Sequence, residues 1–127
     1  MSYEKMRIYQ LSFDLAVRIH NMSLSLPAFE LYEVGAQIRK SSKSVKSNIV
    51  EGYGRRKYKT EFIRFMIMAL ASNDETLDHL ETLYKTGSLR DENLYLNLKN
   101  DISRLGKEIN NFITALEKRH NTRQSSI

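Results

Sequence analysis

The chain of 127 residues contains no cysteine and no tryptophan, and it has only one proline and five glycines. Without cysteine it has no disulfide framework, no thiolate metal site and no cysteine nucleophile, and we expect a cytoplasmic protein. The scarcity of proline and glycine favours a few long elements over many short strands. No segment approaches the roughly 18 consecutive apolar residues of a membrane span, so we predict no membrane association.

Apolar residues recur at intervals of three and four in four segments, which is the spacing of packed amphipathic helices. The predicted helices cover roughly 5–25, 29–52, 58–86, and a last segment that starts at Ser88 or Asp91, either of which can cap it. Pro27 ends the first helix, and Gly87 closes the third. Gly52 and Gly54 are suited to the left-handed conformation that ends a helix, so we expect them to end the second.

The fourth helix has the most regular pattern in the chain. Its apolar residues step by three and four, as in a heptad repeat. They are Leu94, Leu98, Ile102, Leu105, Ile109, Phe112 and Leu116. Four such helices joined by short loops predict an all-α fold, an antiparallel up-down-up-down four-helix bundle. We assign the bundle to one domain over 1–118 and expect a polar, disordered tail over 119–127.

Positive charge is concentrated between residues 39 and 59. This segment carries eight basic residues and one acid, Glu51, for a net charge of +7, whereas the whole chain carries +5. Tyr53 and Tyr58 lie among the cations. Phosphate backbones bind such surfaces by counterion release, and bases stack on tyrosine rings. The predicted nucleic-acid contacts are Arg39, Lys40, Lys43, Lys46, Arg55, Arg56, Lys57 and Lys59. A merely solvated basic face is the open alternative, although such faces usually mix both signs.

Polar residues also occur where the second and third helices are expected to meet. Asn48 and Glu51 lie near the end of the second helix, and Ser72 and Glu75 lie in the middle of the third. Antiparallel neighbours bring such positions within reach of one another. We predict a structural network of these four residues that sets the register between the helices, with a catalytic role as the alternative.

The residues do not form a recognisable catalytic or metal motif. A di-iron bundle requires two Glu-x-x-His motifs and two further glutamates, whereas the chain has only one such motif, Glu117-Lys-Arg-His120. Glu75 and His79 are four residues apart, which is one pair and not a site. The segment Glu51-Gly-Tyr-Gly-Arg55 lacks the Gly-x-x-x-x-Gly-Lys-Thr pattern of a phosphate loop. We therefore predict no catalytic residue, no metal and no cofactor, and a protein that is not an enzyme.

Several motifs together resemble a known family. They are Gln37-Ile-Arg-Lys40, Ser44-Val-Lys-Ser-Asn-Ile-Val-Glu-Gly-Tyr-Gly-Arg55, Glu61-Phe-Ile-Arg-Phe65 and Ser72-x-x-Glu75. The chain is similar over roughly residues 6–116 to the four-helix bundle proteins also called ribosomal S23 or 23S rRNA intervening-sequence proteins. The typical family pattern has proline in place of Lys46 and leucine in place of Asn73 and Thr76.

The resemblance implies a small bacterial homo-oligomer, typically a pentameric ring of bundles. Relatives include proteins encoded within 23S rRNA and the accessory variability protein of diversity-generating retroelements, which binds nucleic acid and partners a reverse transcriptase. Our leading hypothesis is a non-enzymatic homopentameric bundle that binds RNA or DNA, as a retroelement or rRNA-linked accessory factor with a reverse transcriptase as a candidate partner. The alternative is a protein-interaction scaffold for an acidic partner protein, without nucleic acid.

Overall fold

The computed structural model describes the backbone of residues 2–126 and the side chains of residues 2–119. Four helices, α1 (Arg7–Leu24), α2 (Val34–Gly54), α3 (Lys59–Lys85) and α4 (Glu92–Ser126), make up most of it. Short 3₁₀ turns cover Tyr3–Lys5 and Ala28–Leu31. No strand occurs in the described range, so the all-α prediction is confirmed. The side chains of residues 120–127 lie outside the described part, and the boundary predicted at residue 118 stays a prediction.

Each helix packs against two neighbours. α1 contacts α2 and α4, and α3 contacts the same two helices from the other side. Arg7 pairs with Glu108 and Arg18 with Asp101, so residue numbers rise along α1 as they fall along α4. The predicted antiparallel up-down-up-down bundle is therefore confirmed.

The predicted apolar stripes form the core between the helices. The α4 heptad is buried or half-buried along its whole length. Fully buried side chains come from all four helices, and each contributes about 1.5–3 kcal/mol relative to exposure. The largest are Ile19, Ile38, Ile49, Met66, Leu80, Leu83, Leu98, Ile102, Leu105 and Ile109.

Helix α2 begins at Val34, five residues later than the sequence predicts. After Pro27 the chain first makes a 3₁₀ turn over Ala28–Leu31. The buried carboxylate of Glu30 then accepts a hydrogen bond from the Gly35 N–H at 3.0 Å, which satisfies an amide in the first turn of α2. A Cβ atom at Gly35 would lie 2.3 Å from the Glu30 carbonyl oxygen, so this close approach requires glycine.

Helix α2 does end at Gly54, but the left-handed conformation predicted for Gly52 and Gly54 is wrong. Both belong to α2, which runs without a break past Lys46, and among the described residues only Gly87 has a positive φ, of 83°. Gly87 follows α3, as predicted. Gly52 is buried where a Cβ would lie 2.7 Å from Met66 Cε, so its role is to let α3 approach α2 closely. Of the two caps predicted for α4, Asp91 is the one used, since its Oδ1 accepts the Leu94 N–H at 3.1 Å.

Candidate nucleic-acid interface

One line of α2 faces solvent along its whole length. Its exposed residues, spaced by three and four, are Gln37, Lys40, Lys43, Ser47, Glu51 and Gly54. We call this line the α2 ridge. At a rise of 1.5 Å per residue, the distance from Lys40 to Arg56, just past the helix end, is about 24 Å. The ridge therefore leads from two exposed lysines directly to the α2–α3 loop.

Arg39 and Lys46 lie on a different side of α2, against α1. The Arg39 guanidinium donates hydrogen bonds to Ser23 Oγ at 3.0 Å and to the Leu31 carbonyl at 2.7 Å. The Lys46 ammonium lies 5.7 Å from the centre of the Phe13 ring. Both cations thus lie beside the neighbouring helix or the loop before α2, and Lys46 shares a groove along α1 with Lys43 of the ridge.

The α2–α3 loop presents cations and aromatic rings together. Arg56 donates a hydrogen bond to the Tyr53 carbonyl at 2.9 Å, and its guanidinium lies 4.1 Å from the centre of the Tyr53 ring. Lys57 lies 6.0 Å from the centre of the Tyr58 ring. Arg56 and Lys57 are exposed, and Tyr58 is 65% exposed. The loop therefore offers two accessible cations and an accessible ring.

The acids nearest this loop are neutralised by local partners. Glu51 accepts a hydrogen bond from Arg55 at 2.6 Å, one turn away. Glu61 accepts two hydrogen bonds from Arg64, at 3.0 Å each, and these bonds hold the pKa of Glu61 below its usual value. Arg55 also lies 4.6 Å from the centre of the Phe65 ring. Among the described side chains, no acid forms an ion pair with Arg56 or Lys57.

Behind the loop lies a cleft of about 740 Å³, which we call the end cleft. It lies between the α2–α3 loop and the part of α4 near Arg119. Its lining residues are Met6, Tyr53, Gly54, Arg56, Lys57, Lys59, Phe62, Phe112, Ala115, Leu116 and Arg119. Sequence reasoning assigned Lys59 to the interface but missed Arg119, because sixty residues separate the two and only the antiparallel fold brings them to the same end.

A chain of hydrogen bonds connects α2 to α3. Ser44 Oγ lies 3.1 Å from Ser72 Oγ, and the Asn48 amide donates to Ser44 Oγ at 3.2 Å. One turn earlier in α2, the buried Ser41 Oγ lies 2.8 Å from Thr76 Oγ1. Asn48 and Ser72 are thus joined through Ser44. The signal available in the sequence was the spacing of serines on the buried face of α2.

Glu51 and Glu75 lie outside this network, which differs from the prediction. Both are exposed and bond locally: Glu51 to Arg55, just past the end of α2, and Glu75 Oε2 to His79 Nε2 in α3 at 3.2 Å. Small hydroxyl side chains join the two helices because the backbones are close here, and a long carboxylate at the edge of the contact reaches solvent instead.

Two further properties of the described residues bear on function. Within residues 2–119, the side chains of histidine, aspartate and glutamate do not form any group of three that could hold a metal ion. Over the same part of the chain, none of the helices combines the length and the apolar character needed to cross a bilayer.

Four antiparallel helices with a polar α2–α3 seam define a four-helix bundle with a basic loop at one end. The chain belongs to the 23S rRNA-intervening sequence protein family, whose model matches residues 4–111. The resemblance inferred from the motifs is thereby confirmed. No catalytic activity is known for that family.

A similar solved structure is the 1.70 Å crystal structure of a protein of unknown function from the S23 ribosomal protein family of Bacteroides thetaiotaomicron. The two chains are 28% identical, with a TM-score of 0.76 over 84% of this chain and 95% of the other. A comparison with the curated proteins finds no match.

Proposed function

We propose that this protein is a non-enzymatic, homo-oligomeric bundle that binds nucleic acid through the α2 ridge and the α2–α3 loop. The observation that supports this function is the composition of the loop surface. Arg56 and Lys57 are exposed beside the exposed ring of Tyr58, while the nearby acids Glu51 and Glu61 are each paired with an arginine one turn away.

The ridge and the loop fit the spacing of a polynucleotide backbone. One strand of a duplex advances about 3.4 Å along the helix axis per phosphate, so a path of about 24 Å parallel to that axis covers the rise of roughly seven phosphates. Lys40 and Lys43 contact the backbone at one end of this path, and Arg56 and Lys57 at the other. Arg55 and Lys59 flank the loop, whereas Arg39 and Lys46 act mainly by holding α2 against α1.

Exposed apolar side chains on two separate helices support self-association. Phe13 and Val17 on α1 are 45% and 46% exposed, and Ile67 and Met68 on α3 are 52% and 39% exposed. Two different apolar faces on one chain favour a heterologous contact, which closes into a ring when the rotation permits. We propose five subunits, the number that the family resemblance implies. Light scattering coupled to gel filtration should give five times the 14.9 kDa chain mass, and a monomer would exclude the ring.

Nucleic-acid binding is tested by fluorescence anisotropy with labelled single-stranded RNA and DNA over a series of salt concentrations. The variant Arg56→Glu/Lys57→Glu should bind more weakly and lower the slope of log K against log salt by about 2, one for each lost phosphate contact. The control Arg90→Glu/Lys107→Glu changes the net charge by the same amount at two exposed positions outside the α2–α3 loop and the end cleft, one of them between α3 and α4. Equal affinity of both variants and the wild-type protein would overturn the proposal.

The same binding assay, combined with a pull-down from lysate, distinguishes nucleic-acid binding from the alternative of a protein-interaction scaffold. A wild-type protein that binds neither RNA nor DNA, yet retains an acidic protein from nuclease-treated lysate through Arg56 and Lys57, would be a protein-interaction scaffold. A reverse transcriptase that co-purifies with the wild-type protein, and is lost with the loop variant, would establish the retroelement role.

A further inference from the structure

The end cleft combines an apolar floor with a cationic rim. Its apolar floor is lined by Met6, Tyr53, Phe62, Phe112 and Leu116, and its cationic rim by Arg56, Lys57 and Arg119, with the buried Nζ of Lys59 behind them. None of the described residues that line it is acidic. Its volume of about 740 Å³ lies within the range of about 300–1,000 Å³ typical of small-molecule sites.

The aromatic rings of the floor are fixed by contact with one another. The Tyr53 and Phe62 rings meet edge to face, with centroids 6.5 Å apart and planes at 86°. Phe62 and Phe112 meet in the same way, at 5.6 Å and 67°. Because the rings hold each other in place, packing a flat aromatic ligand against this floor requires little ordering of side chains.

The charge and the geometry of the rim suit the binding of an anion. The backbone carbonyl and ring of Tyr53 hold the Arg56 guanidinium in place, and a guanidinium binds phosphate oxygens in bidentate geometry. Helix α3, 27 residues long, begins at Lys59 behind this rim, and its N-cap residue Tyr58 supplies no side-chain hydrogen bond to the first turn. The positive end of the helix dipole therefore adds to the charge of the side chains.

From this arrangement we infer that the end cleft binds a phosphorylated nucleoside, with the base on the aromatic floor and the phosphate at the cationic rim. The ligand is the terminal nucleotide of a single strand or a free nucleotide, which share this chemistry. The inference rests on the proposed function and deepens it, because it gives the α2–α3 loop a second role in binding the end of a strand.

Adenosine monophosphate added to protein labelled with ¹³C in the methionine methyl groups tests the cleft directly. Met6 and Met22 both belong to the core, but only Met6 lines the cleft. We expect a saturable shift of the Met6 methyl signal and none of Met22, and no Met6 shift with inorganic phosphate at the same concentration. A Met6 signal that does not respond to adenosine monophosphate would overturn the proposal.

Two pairs of variants distinguish binding in the cleft from binding elsewhere. Ala115→Trp fills the cleft from an exposed position, and Thr114→Trp places the same side chain next to it but outside the cleft. Arg119→Glu reverses a rim charge, and Lys107→Glu reverses one elsewhere on α4. We expect Ala115→Trp and Arg119→Glu to raise the Kd for the nucleotide about tenfold or more, as the loss of one charge-assisted contact implies. Equal effects within each pair would contradict the assignment.

Linear and circular single strands of equal length then distinguish the two sources of the ligand. If the terminal nucleotide is bound, a 5′-phosphorylated linear strand binds more tightly than the circle, and Ala115→Trp removes the difference. If the free nucleotide is the ligand, linear and circular strands bind equally and the Met6 shift persists. Circular strands have no ends, so their loss of affinity in Arg56→Glu/Lys57→Glu tests the proposed function independently of the cleft.

Discussion

The Glu30 carboxylate accepts a hydrogen bond from Ser88 Oγ at 2.7 Å and thereby joins two loops that are 58 residues apart in the sequence. Its other oxygen accepts the Gly35 N–H at 3.0 Å, and the residue is only 3% exposed. One buried acid therefore connects the α1–α2 loop to the α3–α4 loop. This end of the bundle is opposite the basic loop and the end cleft.

Replacing Ser88 with alanine leaves a buried carboxylate oxygen without its donor. We expect Ser88→Ala to lower the free energy of unfolding by about 1–3 kcal/mol, the cost of an unsatisfied buried acceptor. Urea denaturation followed by circular dichroism measures this change, with Ser47→Ala, an exposed serine on α2, as the control. Because Ser88 lies at the far end of the bundle, polynucleotide affinity should not change, and a loss of affinity in the folded variant would contradict this separation.

Alanine substitutions at two neighbouring cations of α2 should affect different properties, one mainly the stability of the protein and the other mainly its affinity for nucleic acid. Arg39→Ala removes two hydrogen bonds, to Ser23 and to the Leu31 carbonyl, and should lower the free energy of unfolding by about 1–3 kcal/mol. Lys40→Ala, one residue along and exposed, should change stability by less than about 0.5 kcal/mol. In binding assays the order reverses, with Lys40→Ala weaker than Arg39→Ala when both are folded. A larger binding defect for Arg39→Ala would place the interface against α1.

The bundle can be predicted from sequence because the spacing of apolar residues within each helix indicates which face of that helix is buried. The spacing of the other apolar residues on the same helix predicts that Ile102 and Ile38 face the core. Three- and four-residue periodicity therefore predicted all four helices and most of the core. The motif run from Ser44 to Arg55 was also local, and it correctly indicated the family.

The roles of polar residues depended on partners in other elements and were harder to predict. Arg39 belonged to a basic run in the sequence, yet its hydrogen-bond acceptors lie in α1 and in the loop before α2. Arg119 lies at the rim of the end cleft because α4 extends that far and packs antiparallel to its neighbours, which the local sequence does not show. The preference of glycine for helix ends predicts that Gly52 ends α2, whereas its role is set by close contact with α3.

Because α3 packs against only part of α2, replacing each of two α2 glycines with alanine should change the stability of the protein in opposite directions. At Gly52 a Cβ would lie 2.7 Å from Met66 Cε and 3.0 Å from Phe65 Cβ, whereas at Gly54 it would meet nothing within 4 Å. Gly52→Ala should destabilise the protein by about 1 kcal/mol, because overpacking exceeds the gain in helix propensity. Gly54→Ala should stabilise it by about 0.5 kcal/mol. Thermal unfolding of both variants checks the sign, and a stabilised Gly52→Ala would show that Met66 and Phe65 accommodate the added methyl group at no net cost.

Asn73 is a buried polar residue where the typical family pattern has leucine. Its amide donates to the Ile102 carbonyl at 2.9 Å, but its Oδ1 is buried and makes no hydrogen bond. Asn73→Leu should raise the free energy of unfolding by about 1 kcal/mol, because an apolar group of similar shape removes an unsatisfied acceptor. Asn73→Asp, matched in size, should destabilise the protein strongly, since it places a carboxylate against a carbonyl. Chemical denaturation that ranks Asp above Leu would contradict this reading of the site.

Acid should weaken the contact between α3 and α4 through Glu81. This carboxylate accepts a hydrogen bond from the Tyr95 hydroxyl at 2.8 Å and pairs with Lys99 at 3.0 Å, and these partners lower the pKa of Glu81 below its ordinary 4.5. Because the folded state has the lower pKa, the stabilisation is present above about pH 4.5 and is lost as the pH falls toward the folded value.

The wild-type protein should therefore lose more stability between about pH 5 and about pH 3 than Glu81→Gln, which cannot titrate at this position. Denaturation midpoints in a pH series measure the difference. Glu117→Gln, an exposed change on α4 away from Tyr95 and Lys99, should leave the wild-type slope in place. Parallel curves for the wild-type protein and Glu81→Gln would mean that the Tyr95 and Lys99 contacts do not favour the ionised carboxylate in the folded protein.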